Sequence, residues 1–126
     1  MTVTTSNTSD EPIFHMALPD DWAGAFATGE YRMSTRGVTL EQEGFIHCST
    51  RDQLQDTANR FYADLDQLVV LTIDPDLVSS PIVYEPPAAG LDVLFPHIYG
   101  PLPVAAVNQA ALWIRATGAG WSTATL

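Results

Sequence analysis

Leu68-Val69-Val70-Leu71-Thr72-Ile73, closed by Asp74-Pro75, is the stretch on which the fold turns. A run of leucine and β-branched residues without polar alternation predicts a strand covered on both faces, and Pro75 cannot extend its ladder. Such a strand belongs at the centre of a sheet. On its N-terminal side, Thr50 and Gln53 fit a capping box, and Leu54, Ala58, Phe61 and Tyr62 share one helical face, which predicts a helix over 51–63. Gly44 to Cys48 reads as a second strand. Ile13 to Leu18 reads as the first, carrying His15 and stopped by Pro19. Asp20 or Asp21 is then expected to cap a short helix with Trp22, Ala25 and Phe26 on one face and Gly29 as terminator. Glu30 to Glu43 is irregular and predicts a loop with one short strand. On the C-terminal side, Ile82–Glu85 and Leu94–Tyr99 predict strands separated by a loop. Pro101 and Pro103 force a turn, and within Val104–Ala116 a strand is favoured around Leu112, Trp113 and Ile114. No internal repeat is visible.

These elements predict an α+β single domain with a bent or split mixed sheet and two or three helices. The chain has 126 residues, 46% hydrophobic and 16% charged, enough to bury a core without disulfides or metal. Residues 1–11 are expected to be a disordered leader, 12–118 the domain and 119–126 a tail in which Trp121 is exposed. The lone Cys48 cannot form an internal disulfide, and Met1–Ser6 lacks the basic flank and apolar stretch of a signal peptide, so a cytoplasmic location is expected. No apolar run approaches the roughly 20 residues of a bilayer span. Fifteen acidic residues stand against five Arg and no Lys, a net charge of −10. That balance opposes long nucleic acid as a partner, yet a pocket with backbone N–H groups and one or two Arg can still hold a small anion or nucleotide. The oligomeric state stays open.

The chemistry centres on three histidines, His15, His47 and His97, each in a strand-like apolar segment. A lone histidine in such a strand is usually a buried, hydrogen-bonded group; three of them point to a shared pocket. Ser49, Thr50 and Arg51 begin a helix directly after the His47 strand, which reads either as a simple cap or as an anion seat. Glu85, before Pro86-Pro87, is placed at a pocket rim or a solvated edge, and Tyr99 offers a phenol or a ring face for stacking. His97, between Pro96 and Gly100-Pro101, belongs either to the pocket or to a structural corner. Cys48 next to His47 does not make a thiol nucleophile, because neighbours on a strand point to opposite faces. The histidines with Glu85 lack the close spacing of recognised metal motifs, so no metal site is assigned.

Several strings together carry a family resemblance: Ile13-Phe14-His15, Glu43-Gly44-Phe45-Ile46-His47-Cys48-Ser49, Tyr84-Glu85-Pro86 and Phe95-Pro96-His97-Ile98-Tyr99-Gly100-Pro101-Leu102. Over roughly residues 12–115 the chain resembles the domain of unknown function 952 family, differing in having Tyr84 where Trp is commoner. That family in turn is similar in fold to the ADP-ribosyltransferase superfamily, including RNA 2′-phosphotransferases, in which a split, bent sheet grips NAD. The resemblance implies NAD as a candidate substrate. It implies that His15 meets the adenosine-side ribose, that His47 with Ser49 and Thr50 lines the nicotinamide side, and that Glu85 or His97 with Tyr99 orients the reacting ribose. Arg32, Arg36 and Arg51 would then serve the diphosphate, and Met16 stands where the superfamily usually has glycine. A carboxylate at Glu85 suits the oxocarbenium-like state of glycosidic cleavage. The expected function is a small cytoplasmic enzyme acting on a nucleotide or phosphate-bearing ligand by acid/base and electrostatic catalysis. The alternatives are a non-catalytic binding or regulatory module and a metal-dependent hydrolase.

Overall fold

The computed structural model describes residues 11–126, so the predicted leader, apart from Glu11, lies outside the described residues. Strand β6 (Gln67–Ile73) is the centre of a three-stranded sheet, flanked by β1 (Ile13–Ala17) and β10 (Val107–Ile114). His15 stands opposite Leu71 on one side of it, and Ala110 opposite the same residue on the other. A second three-stranded sheet has β8 (Phe95–Ile98) at its centre, between β5 (Ile46–His47) and β7 (Ile82–Glu85). One bridge joins the sheets. Phe14 and Ser49 exchange backbone hydrogen bonds of 2.8 and 2.7 Å, tying β1 to the segment that leaves β5.

The uninterrupted apolar run of β6 is explained by two cores, one on each face of the central sheet. On one face Val69, Leu71 and Ile73 join Ile13 and Ala17 of β1 and Ile46, Cys48 and Ile98 of the second sheet. On the other, Leu68 and Val70 join Phe14, Met16, Trp113 and the apolar face of a helix, Leu54 and Ala58. The period-two alternation of β1 therefore serves both cores, and His15 points to the same side as Ile13 and Ala17.

Helix α1 (Pro19–Ala25) starts with Pro19 in its first turn and no side-chain cap; Asp20 and Asp21 lie inside that turn rather than capping it. The helix ends earlier than expected, with Phe26 as its C-cap, and Gly29, in the left-handed region at φ 84°, closes the turn that follows, its N–H donating to the Ala25 carbonyl. The stretch from Glu30 to Glu43, expected as loop with one strand, holds β2 (Glu30–Tyr31), β3 (Met33–Thr35), β4 (Val38–Thr39) and the one-turn helix α2 (Leu40–Glu43). Elements of two to four residues are too short to print a hydrophobic period. β2 pairs with β9 (Leu102–Pro103), and β3 with β4. Helix α3 (Leu54–Phe61) is preceded by a 3₁₀ turn at Arg51–Gln53, with the Thr50 N–H donating to Gln53 Oε1 at 2.9 Å.

The expected mixed sheet is corrected: every strand pair among the described residues is antiparallel. A parallel pair needs a crossover helix returning to the same sheet, whereas α3 carries the chain from β5 in one sheet to β6 in the other. The C-terminal segment is also corrected. Trp121 is 2% exposed, packs against Trp113 and donates from Nε1 to the Tyr62 carbonyl at 2.8 Å. Asn59 of α3 grips its backbone, accepting from the Trp121 N–H at 2.6 Å and donating to its carbonyl at 3.1 Å.

Candidate functional site

The alternation of the second sheet divides its residues by chemistry. Ile46 and Ile98 point into the first core, so their neighbours His47 and His97 point the other way, and Phe45, just before β5, and Tyr99, just after β8, lie on that same side. His47 and His97 are direct cross-strand partners, and Val83 of β7 pairs with His97 from the other side. The two imidazoles meet edge to face with centroids 5.0 Å apart, and Phe45 stacks on His97 at 4.1 Å and 16°. Phe45 is the residue that sequence reasoning missed. Its place two positions before His47 is the signal that finds it.

Around this pair runs a short hydrogen-bond relay. His97 Nδ1 lies 2.7 Å from Glu85 Oε2, and the Tyr99 hydroxyl donates to the same oxygen. Glu85 is held below the ordinary carboxylate range, first by the Tyr99 hydrogen bond and then by His97, while Tyr99 is raised in turn by Glu85. An ionised carboxylate accepts only, so Nδ1 carries the proton and donates. His97 is fully buried, and its Nε2 has no hydrogen-bond partner among the described residues. An orphaned buried nitrogen of this kind costs about 1–3 kcal/mol, which a merely structural histidine does not need to spend. His47 is half-buried beside it, its pKa lowered by burial and by His97 against an opposing pull from Glu43.

His15 is held apart from this group. It is 2% exposed, and both of its ring nitrogens are used inside the protein: Nδ1 donates to the His47 carbonyl at 2.6 Å and Nε2 accepts from the Tyr31 hydroxyl at 2.8 Å. Burial lowers its pKa to about 4, so the ring is neutral, and the carbonyl fixes the proton on Nδ1. His15 thus buttresses the strand that carries His47 from the opposite side of it. Tyr31, its partner, sits in the stretch where no period was legible. Cys48 is buried, and desolvation pushes its thiol upward, away from nucleophilic use.

The expected anion seat does not join the histidines. Ser49 is tied into the bridge to Phe14, Thr50 caps the 3₁₀ turn through Gln53, and the Arg51 guanidinium lies 4.8 Å over the Phe14 ring, toward the second core. Arg32 is committed to Glu30 and Glu41, and Arg36 to Asp64 and the Phe61 carbonyl. Arg115 binds Asp66 and the carbonyls of Leu65 and Ala119, and Arg60 lies in the last turn of α3. Among the described residues, none of the five hydrogen-bonds to the histidine cluster. Among the described residues no group of three His, Cys, Asp or Glu side chains is placed to hold a metal ion, and no helix is long and apolar enough to cross a membrane.

With the cluster in view, the comparisons with known proteins take on meaning. Residues 16–110 match the family described as "Protein of unknown function (DUF952)", and this span includes all of the cluster. The chain belongs to the DUF952 family. Two solved structures of protein CC0527 from Caulobacter crescentus share its fold. The crystal structure is 26% identical with a TM-score of 0.75, covering 90% of this chain and 95% of that one. The solution NMR structure is 25% identical with a TM-score of 0.71, covering 88% and 91%. No curated protein matches. In this DUF952 chain, then, the Gly44-Phe45-Ile46-His47 and Phe95-Pro96-His97-Ile98-Tyr99 strings contain two adjacent strands, β5 and β8, whose residues and flanks bear one polar cluster.

Proposed function

We propose that the outward face of the β5–β8–β7 sheet is the acid/base site of a small enzyme. His97 is its proton-transfer group at Nε2, Glu85 positions it, and His47 stands beside it. The observation that carries this reading is the relay from Tyr99 through Glu85 to His97, ending in a buried nitrogen with no partner. A carboxylate on one imidazole nitrogen fixes the tautomer and offsets the charge that develops when the other takes a proton. The ADP-ribosyltransferase-like version of this reading adds NAD or a related nucleotide as ligand, with Glu85 facing an oxocarbenium-like centre. The arginine inventory narrows that version to recognition through the base and sugar, because Arg32 and Arg36 are spent on carboxylates and Arg51 faces the second core. A second reading, a binding module without turnover, is favoured by the complete burial of His97 beneath Phe45.

Proton-detected ring spectra of the histidines, recorded with NAD, ADP-ribose and phosphate alongside chromatography of products, test the proposal. NAD or ADP-ribose is expected to shift the His47 and His97 rings while leaving His15 unmoved, and Glu85→Gln is expected to reduce any turnover by about 10²-fold or more. Binding with those shifts but no product selects the module. Nucleotide binding that leaves both rings unmoved refutes the site.

A further inference from the structure

Strand β10 leaves the longest open edge among the described residues. It pairs with β6 on one side only, whereas the outer edge of β1 is tied to the second sheet through Phe14 and Ser49. Successive residues of an antiparallel strand turn their backbone groups to opposite sides, and the Arg115 N–H, one residue past β10, donates to the Asp66 carbonyl on the β6 side at 2.9 Å. The N–H and C=O groups of Ala110, Leu112 and Ile114 therefore face away from β6. Among the described residues they meet only Thr125 Oγ1, 3.5 Å from the Ile114 carbonyl. The side chains of these three residues stand beside Leu71, Val69 and Gln67, on the first-core side of the sheet, yet Leu112 and Ile114 are 52% and 51% exposed. Charged side chains, proline and bulges are the usual means of keeping an open edge unpaired. Val107 to Ile114 holds no charged residue and no proline, in a chain that is 16% charged with a net charge of −10. Its one irregularity lies between Val107 and Gln109, at the end away from Leu112 and Ile114.

We infer that β10 is a dimer interface, pairing antiparallel with β10 of a second copy of this chain about a two-fold axis at Leu112, so that the two three-stranded sheets become one. In that register Leu112 exchanges both backbone hydrogen bonds with its own copy, and Ala110 does so with Ile114, which satisfies the outward groups of all three. The same register lays apolar side chain against apolar side chain along the stripe of Ala110, Leu112 and Ile114 and extends the first core across the axis. Charge selects the occupant. A basic strand drawn to this acidic chain finds no carboxylate on β10, whereas a second copy brings an equally uncharged strand, and Arg115 at its end falls opposite Gln109 rather than another cation. Pairing removes the open edge from both copies, so assembly stops at two. Neither the histidines nor Glu85 takes part, and the dimer stands or falls apart from the acid/base reading.

Sedimentation equilibrium of the full chain from about 5 to 500 μM forms the test. A single strand pair lies at the small end of specific interfaces, so a monomer–dimer transition with a Kd of about 10–100 μM is expected, with no larger species. Each copy carries a charge of −10, and added salt should tighten the dimer by screening their repulsion. Leu112→Lys and Leu112→Glu, exposed changes confirmed as folded by circular dichroism, each set like charges opposite one another at the axis and should raise the Kd at least about tenfold. An equimolar mixture of the two variants should sediment as a heterodimer. In the wild type, the amide protons of Ala110, Leu112 and Ile114 should exchange with solvent more slowly at the top of the concentration range than at the bottom. A chain that stays monomeric throughout the range overturns the inference. A dimer that both Leu112 variants leave intact overturns it as well, as does exchange at these three amides that is independent of concentration.

Discussion

Replacing His15 by glutamine should flatten the dependence of stability on pH between 7 and 5. Burial lowers the imidazole pKa from 6.5 to about 4, partly opposed by the His47 carbonyl, so the native ring refuses a proton that the unfolded chain accepts. Where the unfolded state binds more protons, stability falls as the pH falls. The loss begins near pH 6.5 and is complete below about pH 4, where 2.5 units at 1.36 kcal/mol each amount to about 3 kcal/mol. Between pH 7 and pH 5 the same two pKa values give a loss of about 2 kcal/mol. Glutamine keeps one donor for the His47 carbonyl and one acceptor for the Tyr31 hydroxyl but does not titrate, so the variant retains the hydrogen bonds and lacks the proton linkage. Urea unfolding at pH 7 and pH 5, followed by tryptophan fluorescence, reads the difference directly. Every other residue is the same in the two proteins, so the comparison isolates the proton linkage of His15. The wild type should lose about 2 kcal/mol more than the variant over that interval; equal losses would show that His15 takes up protons in the native state and that its buttressing role is misassigned.

Asn59→Ala leaves the Trp121 N–H and carbonyl without partners inside the second core and is expected to cost about 2 kcal/mol, lowering Tm by roughly 8 °C in calorimetry. An unchanged Tm would mean that Trp121 alone anchors the C-terminal segment. Gly44, at φ 98°, closes α2 in the left-handed region immediately before Phe45, so Gly44→Ala should cost about 1 kcal/mol in urea unfolding and shift the His47 ring resonances with it.

What was legible in the chain follows from element length and from which faces are buried. β6 announced itself because both of its faces meet a core, and the capping box at Thr50 and Gln53 placed α3 because its hydrogen bonds are local. The pairing of His47 with His97 was legible only as two similar strings; their registry depends on a β8 contact made 50 residues later in the chain. His15 and His97 could not be ranked from composition. Each is buried in a strand, and what separates them is whether the second ring nitrogen meets Tyr31 or nothing, a distinction set by tertiary placement. Arg32 and Arg51 looked equally free on the page of sequence. Their partners, Glu41 nine residues away and the ring of Phe14 across the fold, decide that neither reaches the cluster.

The grip of Asn59 on Trp121 has a consequence for the birth of the protein. The second core takes Phe14 and Met16 from β1, Leu54 and Ala58 from α3, and Trp113 and Trp121 from more than fifty residues further along the chain. On the ribosome, therefore, α3 and the far face of β6 wait uncovered until residue 121 has left the exit tunnel. Folding of this half therefore waits on all of these segments, and a nascent chain stalled before Trp113 displays Phe14, Leu54 and Val70 as an apolar surface for chaperones to hold.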